Sequence, residues 1–164
     1  MKVHDSSGRL KIIRTEASAS RVVTVKPTDE AITSDSTYSD DDTLVVTIPA
    51  GETWVVSWYL FWNSPSTPDI KFRVNTTGSA ETPTSFRWAI LDDRLNYSSD
   101  DGSNSEGGQS YSSAGADDTT RLYAAIQASS LGSATVALQW AQNTSNGSAT
   151  TMYAMSYLVA EKAG

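Results

Sequence analysis

The sequence predicts an all-β fold, a two-sheet antiparallel β-sandwich of jelly-roll type with about eight strands and an extended N-terminal arm. Three observations carry this prediction. Apolar residues recur with period two in short segments, Ser, Thr, Asp, Asn, Gly and Pro separate those segments, and no ten-residue stretch shows helical spacing. Five Trp, seven Tyr and three Phe in 164 residues supply large areas for burial and favour sheets or interfaces. The length fits one hydrophobic core, so a single sandwich domain over residues 27–164 is expected, preceded by an arm over residues 1–26.

The elements follow in chain order. Residues 1–26 show weak alternation (Leu10, Ile12; Val22, Val23, Val25) broken by Thr15-Glu16-Ala17-Ser18-Ala19-Ser20, the pattern of an arm that packs on a neighbour. Thr43–Ile48 places Leu44, Val46 and Ile48 on one face of a strand, and Pro49-Ala50-Gly51-Glu52 then reads as the tight turn of a hairpin. From Thr53 to Trp62 the even positions Trp54, Val56, Trp58, Leu60 and Trp62 form a heavy apolar face. The odd positions Thr53, Val55, Ser57, Tyr59 and Phe61 are only partly polar, so this strand is expected to be covered on both sides.

Ile70, Phe72 and Val74 alternate with Lys71 and Arg73, and Phe86, Trp88 and Ile90 with Arg87 and Ala89, giving two strands with one wet face each. The Ser-, Gly- and Asp-rich stretch at about 92–120, with Tyr97 and Tyr111 as its aromatics, is too long for a routine connection and reads as a loop. Leu122, Ala124 and Ile126 make the next strand, and Ala134, Val136, Leu138 and Trp140 another after the Gly132-Ser133 turn. A last strand over Thr150–Lys162 carries Met152, Ala154 and Leu158 on one side and Tyr153, Met155, Tyr157 and Val159 on the other.

Two strands apolar on both faces exceed what one sandwich buries, since a sandwich strand normally shows one face to water. The surplus at Tyr59, Phe61, Tyr153, Met155 and Tyr157 marks these residues as the expected oligomer or partner interface, in a homotrimer. Cover by a loop or by the N-terminal segment is the competing explanation.

Nothing in the sequence assembles a catalytic centre. His4, the one histidine, lies near the terminus without a rigid triad partner, and with no cysteine there is no thiolate chemistry. Hydrolysis would need a pair of carboxylates, and the candidates Asp40-Asp41-Asp42 and Asp92-Asp93 read as polar turns, where Asp caps backbone amides. With Asp100-Asp101 and Asp117-Asp118 they offer oxygen ligands for calcium but match no EF-hand loop, so no metal is expected. No Gly-rich segment joins a strand to a helix, so no nucleotide or other cofactor is expected either. Trp54, Trp58 and Trp62 resemble a sugar-stacking platform, but they share a face with Val56 and Leu60, which favours core filling. The Asn-X-Ser/Thr sequons at Asn75, Asn96, Asn143 and Asn146 are what a chain rich in these residues meets by chance.

A formal net charge of −7 without a Lys/Arg cluster opposes nucleic-acid binding. The absence of an 18-residue apolar run or an N-terminal apolar stretch predicts a soluble chain with no membrane partner.

Two stretches carry a resemblance. Ser34-Asp35-Ser36-Thr37-Tyr38-Ser39-Asp40-Asp41-Asp42-Thr43-Leu44, continuing through Ile48-Pro49-Ala50-Gly51-Glu52-Thr53-Trp54 to Asp69-Ile70-Lys71-Phe72, resembles a module that recurs in structural proteins of tailed bacteriophages. Leu138-Gln139-Trp140-Ala141-Gln142-Asn143-Thr144-Ser145, followed by Ser156-Tyr157-Leu158, resembles the end of the same module, and the Leu-Gln-Trp-Ala-Gln segment is its most distinctive part. The resemblance runs from about residue 26 to the C-terminus. It implies a non-enzymatic virion component of the head-decoration, head-fibre or tail-associated kind, often trimeric. On that basis the expectation is a capsid decoration protein bound to the major capsid protein or other virion proteins on the capsid surface. The alternative is a tail- or fibre-associated receptor- or carbohydrate-binding module using Tyr97 and Tyr111.

Overall fold

A computed structural model describes residues 2–4, 10–12, 20–78, 85–92, 97–100, 109–111 and 115–163, with side chains described over 20–77 and 115–163. The described strands are β1 (Lys2–His4), β2 (Leu10–Ile12), β3 (Arg21–Val25), β4 (Glu30–Ile32), β5 (Ser39–Ile48), β6 (Thr53–Asn63), β7 (Ile70–Gly78), β8 (Ser85–Asp92), β9 (Tyr97–Asp100), β10 (Gln109–Tyr111), β11 (Asp117–Gln127), β12 (Ala134–Gln142), β13 (Thr150–Met152) and β14 (Tyr157–Lys162). Every pairing among them is antiparallel.

The protein is an all-β jelly-roll sandwich. One sheet of the sandwich has the order β10-β7-β12-β5, and the other β3-β14-β6-β11-β8-β9, with β13 pairing both β6 and β4; β1 and β2 pair in a separate two-stranded sheet. From β5 to β8 the chain changes sheet at every connection, and it changes again from β9 to β10, β11 and β12. That alternation interleaves two four-stranded layers, the arrangement of a jelly roll. Strands β14 and β3 then widen the second sheet beside β6.

This topology corrects the expected hairpin at Pro49–Glu52. The turn is tight, with Glu52 N–H donating to the Pro49 carbonyl and Gly51 at φ 73°, where a side chain would be strained. Yet β5 and β6 belong to opposite sheets. Over Leu44–Ile48 and Trp54–Trp62 each strand has one apolar face, and turning the chain across the sandwich sets those faces against each other, whereas side-by-side pairing would leave both to find other cover.

The period-two rows become the core. Leu44, Val46, Ile48, Ile70, Phe72, Val74, Val136, Leu138 and Trp140 line one sheet, facing Trp54, Val56, Trp58, Leu60, Trp62, Leu122, Ile126 and Leu158 on the other. Trp54, Trp58, Trp62 and Trp140 are all buried, and at 150–250 Å² each they contribute at most roughly 4–6 kcal/mol apiece. Core filling is therefore the role of the three β6 tryptophans. Each indole N–H keeps a partner: Glu52 for Trp54, the Leu44 carbonyl across the sandwich for Trp58, Thr120 for Trp62 and Asp41 for Trp140. Trp62 and Phe72 meet edge to face at 5.8 Å, which ties the sheets at a second point.

Other expectations change in detail. The arm expected over 1–26 ends earlier, because Arg21–Val25 is β3, paired to β14 from Tyr157 to Glu161. The stretch expected as one loop at 92–120 contains β9 on β8, β10 on β7 and the start of β11. The single strand expected over 150–162 is broken at 153–156. There the β13–β14 side advances five residues (Met152 to Tyr157) while β6 advances three (Trp62 to Tyr59), and Met155 turns at φ 67°. The buried Ser156 hydroxyl bridges the gap, accepting from Phe61 N–H and donating to the Phe61 carbonyl. The side chains of His4, Phe86, Trp88, Ile90, Tyr97 and Tyr111 lie outside those described.

Candidate functional site

Alternation on β6 puts its even residues in the core and its odd residues on the outer face of the larger sheet. The register then sets Val25, Tyr157, Tyr59 and Arg121 in one row across β3, β14, β6 and β11, and Val23, Val159, Ser57 and Tyr123 in the next. The outer face thus carries an apolar stripe. Val23 is 52% exposed, Val25 43%, Val55 42% and Phe61 38%, so neither described loops nor strands seal it.

Three of the five residues expected at the interface form its centre. The rings of Tyr59 and Tyr157 stack with centroids 4.5 Å apart and planes 8° from parallel. Phe61 follows Tyr59 on the same face. The Arg121 guanidinium lies 4.3 Å from the Tyr59 ring and 5.4 Å from the Tyr123 ring, and it donates to the Tyr59 hydroxyl at 2.7 Å. These contacts hold the aromatic groups in one arrangement, so a partner would meet a preformed surface.

The remaining two residues behave differently. Tyr153 donates its hydroxyl to Asp117 at 2.8 Å, and this bond to a carboxylate raises its pKa above the usual phenol range. Asn63 donates to the same Asp117 oxygen at 3.3 Å, so Tyr153 is tied to the sheet end. Met155 projects from the 153–156 turn and is 67% exposed. Sequence reasoning missed Val23, Val25, Arg121 and Tyr123. The valines fell in a segment read as an arm, and Arg121 is an ordinary wet-face residue until the register places it over Tyr59.

The outer face of the smaller sheet is polar. Gln139 on β12 accepts from Arg73 and donates to Asp40 at 2.6 Å, and Asn75 donates to the same Asp40 oxygen at 2.9 Å. Arg73 and Lys71 lie 4.2 and 4.5 Å from the Tyr38 ring centre. Burial raises the Tyr38 pKa, with Arg73 opposing, while burial and then Arg73 lower that of Lys71. The Leu138–Gln142 segment accounts for much of this organisation. Leu138 and Trp140 point inward, Gln139 organises the polar face, and Gln142 closes the following turn through the Ile32 and Ser148 carbonyls and the Asn146 N–H.

One acidic cluster is not the solvated turn its sequence suggested. Two residues of β12 (Ala137 to Gln139) span five of β5 (Val45 to Asp40), so β5 bulges and turns Asp41 inward. The Asp41 side chain is fully buried and meets the Lys26 ammonium, 3% exposed, at 2.9 Å. Glu30 also holds Lys26, and Asp42 lies 4.0 Å away. Oxygens of Glu30, Asp41 and Asp42 fall within 4.8 Å of one another, a spacing that suits a cation, and the Lys26 ammonium supplies that charge. Burial lowers the Lys26 pKa, but hydrogen bonds and charge from Glu30 and Asp41 outweigh it and hold Lys26 above the usual lysine range.

No family model matches this chain, and no curated protein matches it. Among solved structures it is similar to a family two carbohydrate esterase from Cellvibrio japonicus, with TM-score 0.32, 10% identity, and coverage of 79% of this chain and 34% of that one. It is also similar to the infectious bursal disease virus VP2 subviral particle, with TM-score 0.23, 9% identity, and coverage of 89% and 42%. The chain spans between a third and a half of the length of these proteins. Likenesses this shallow assign no function, and the fold class stands on the strand order alone.

Proposed function

We propose that this chain is a non-enzymatic structural protein of a bacteriophage virion, a decoration protein that binds the outer capsid surface and stabilises the shell as a homotrimer. The observation that carries the self-assembly part is the unsealed apolar stripe on the outer face of the larger sheet, from Val23 and Val25 through Tyr157 and Tyr59 to Phe61. Contiguous apolar surface of this kind marks association sites in soluble proteins. The virion assignment adds the resemblance of residues 34–72 and 138–158 to a module of tailed-phage structural proteins. Many modest contacts repeated by symmetry would stabilise a shell through avidity without strong pairwise affinity.

The test is a thermal melt of capsids assembled from the major capsid protein, with and without this chain. Saturable binding and a higher melting temperature support decoration. Absence of binding to capsids, or identical melting with the chain bound, refutes it. Binding to host cells or glycans in place of capsids would shift the function to a tail or fibre module.

A further inference from the structure

The geometry points to an autocatalytic cross-link: Lys26 Nζ condenses with the Asp41 carboxyl group to form an intramolecular isopeptide bond, with Glu30 carrying the proton.

The reacting groups are already in contact. Lys26 Nζ lies 2.9 Å from Asp41 Oδ2, and neither side chain is more than 3% exposed. Two groups held at this separation inside a fold react as if at very high concentration. The carboxylate is also set up for attack. Its Oδ1 accepts the N–H groups of Thr43 at 2.9 Å and Leu44 at 2.8 Å, a pair of fixed donors that would hold the negative charge developing on that oxygen. Oδ2 accepts from the Trp140 indole at 3.2 Å and is the oxygen that departs.

Glu30 completes the set. Its Oε2 touches Lys26 Nζ at 2.5 Å, and oxygens of Glu30 and Asp41 lie within 4.8 Å of each other, so Glu30 can take a proton from nitrogen and, by a small swing of its partly exposed side chain, deliver it to Oδ2. Such a carrier is required because the carboxylates keep Lys26 charged, and an ammonium is no nucleophile. The balance closes without any co-reactant. Once Glu30 has moved one ammonium proton to Oδ2, the neutral amine nitrogen attacks Asp41 Cγ, and transfer of a second proton to Oδ2 breaks the Cγ–Oδ2 bond. One of the three ammonium protons stays on the amide nitrogen and two leave with Oδ2 as water. Glu30 ends in the state in which it began, and its partly exposed side chain marks the way out for the water. Buried Leu44 and Trp140 shield the product from hydrolysis.

The bond would join the segment leaving β3, in the larger sheet, to the β5 bulge in the smaller one. In a chain without cysteine it is a covalent tie between the two layers of the sandwich.

Intact-mass measurement on the purified full chain under denaturing conditions tests this. The expected mass is below the encoded mass by one water, and proteolysis releases a branched peptide containing Lys26 and Asp41. Glu30→Gln, a change at a partly exposed side chain, is expected to show the encoded mass with a native circular-dichroism spectrum. An encoded mass for the wild-type protein, or a lost water that maps to other residues, overturns the proposal. Full cross-linking of Glu30→Gln in the same time overturns the role given to Glu30. Because the wild-type measurement involves no variant, misfolding of a variant cannot mask the answer.

Discussion

Phe61→Ser isolates the outer-face stripe from the core. Phe61 is 38% exposed, which for an aromatic residue of 150–250 Å² leaves about 60–95 Å² for a partner to cover. At about 25 cal/mol per Å², each such burial contributes roughly 2 kcal/mol to association. Losing it weakens each subunit contact by about 30-fold. The backbone bonds between residue 61 and Ser156 survive the change, so the subunit itself keeps its fold. Sedimentation velocity over a dilution series reads the effect, with Thr47→Ser on the exposed face of the opposite sheet as the control. In a closed trimer three such contacts weaken together and the midpoint scales as the square root of the overall dissociation constant, so the variant is expected to dissociate at a concentration roughly 150-fold higher than wild type, while the control matches wild type. An unchanged dissociation profile for Phe61→Ser, or a wild-type protein that stays monomeric at its highest soluble concentration, refutes the assembly surface.

Three further outcomes follow from the same structure. Trp58→Phe removes the indole N–H that reaches the Leu44 carbonyl across the sandwich and is expected to cost about 1–3 kcal/mol in urea denaturation, with Trp58→Ala costing about 3–5 kcal/mol. Met155 sits at φ 67°, so Met155→Val is expected to lose roughly 1–2 kcal/mol by thermal melt while Met155→Gly is tolerated. Glu52 is held below the usual carboxylate range, first by its hydrogen bond from Lys162 and then by that from Trp54. A depressed pKa contributes stability above the ordinary glutamate value that is lost as pH falls through the lowered one. Wild type is therefore expected to melt above Glu52→Gln near neutral pH, with the two curves converging on acidification below the ordinary glutamate range.

Much of the fold was legible along the chain because strand burial has a period that sequence displays directly. Leu44, Val46 and Ile48, the even row from Trp54 to Trp62, and Met152 with Leu158 are buried as their spacing requires. The candidate surface was half legible. Tyr59, Phe61 and Tyr157 announced themselves by being apolar on the wrong side of strands already filled on the other. Val23, Val25, Arg121 and Tyr123 did not, since their place depends on pairings between segments far apart in the chain, such as Val23 with Val159.

The sequence by itself determined the class of fold, the core rows and the absence of thiolate chemistry, because each depends on residue type and on spacing within one strand. Only the tertiary structure decided that the Pro49–Glu52 turn crosses between layers, that β14 inserts beside β6, and that Asp41 leaves its acidic run to meet Lys26. These outcomes are set by long-range register. Adjacent aspartates look alike in sequence, and it is the β5 bulge against β12 that turns one of them inward, where a buried ammonium, an indole and two amides make its charge tolerable.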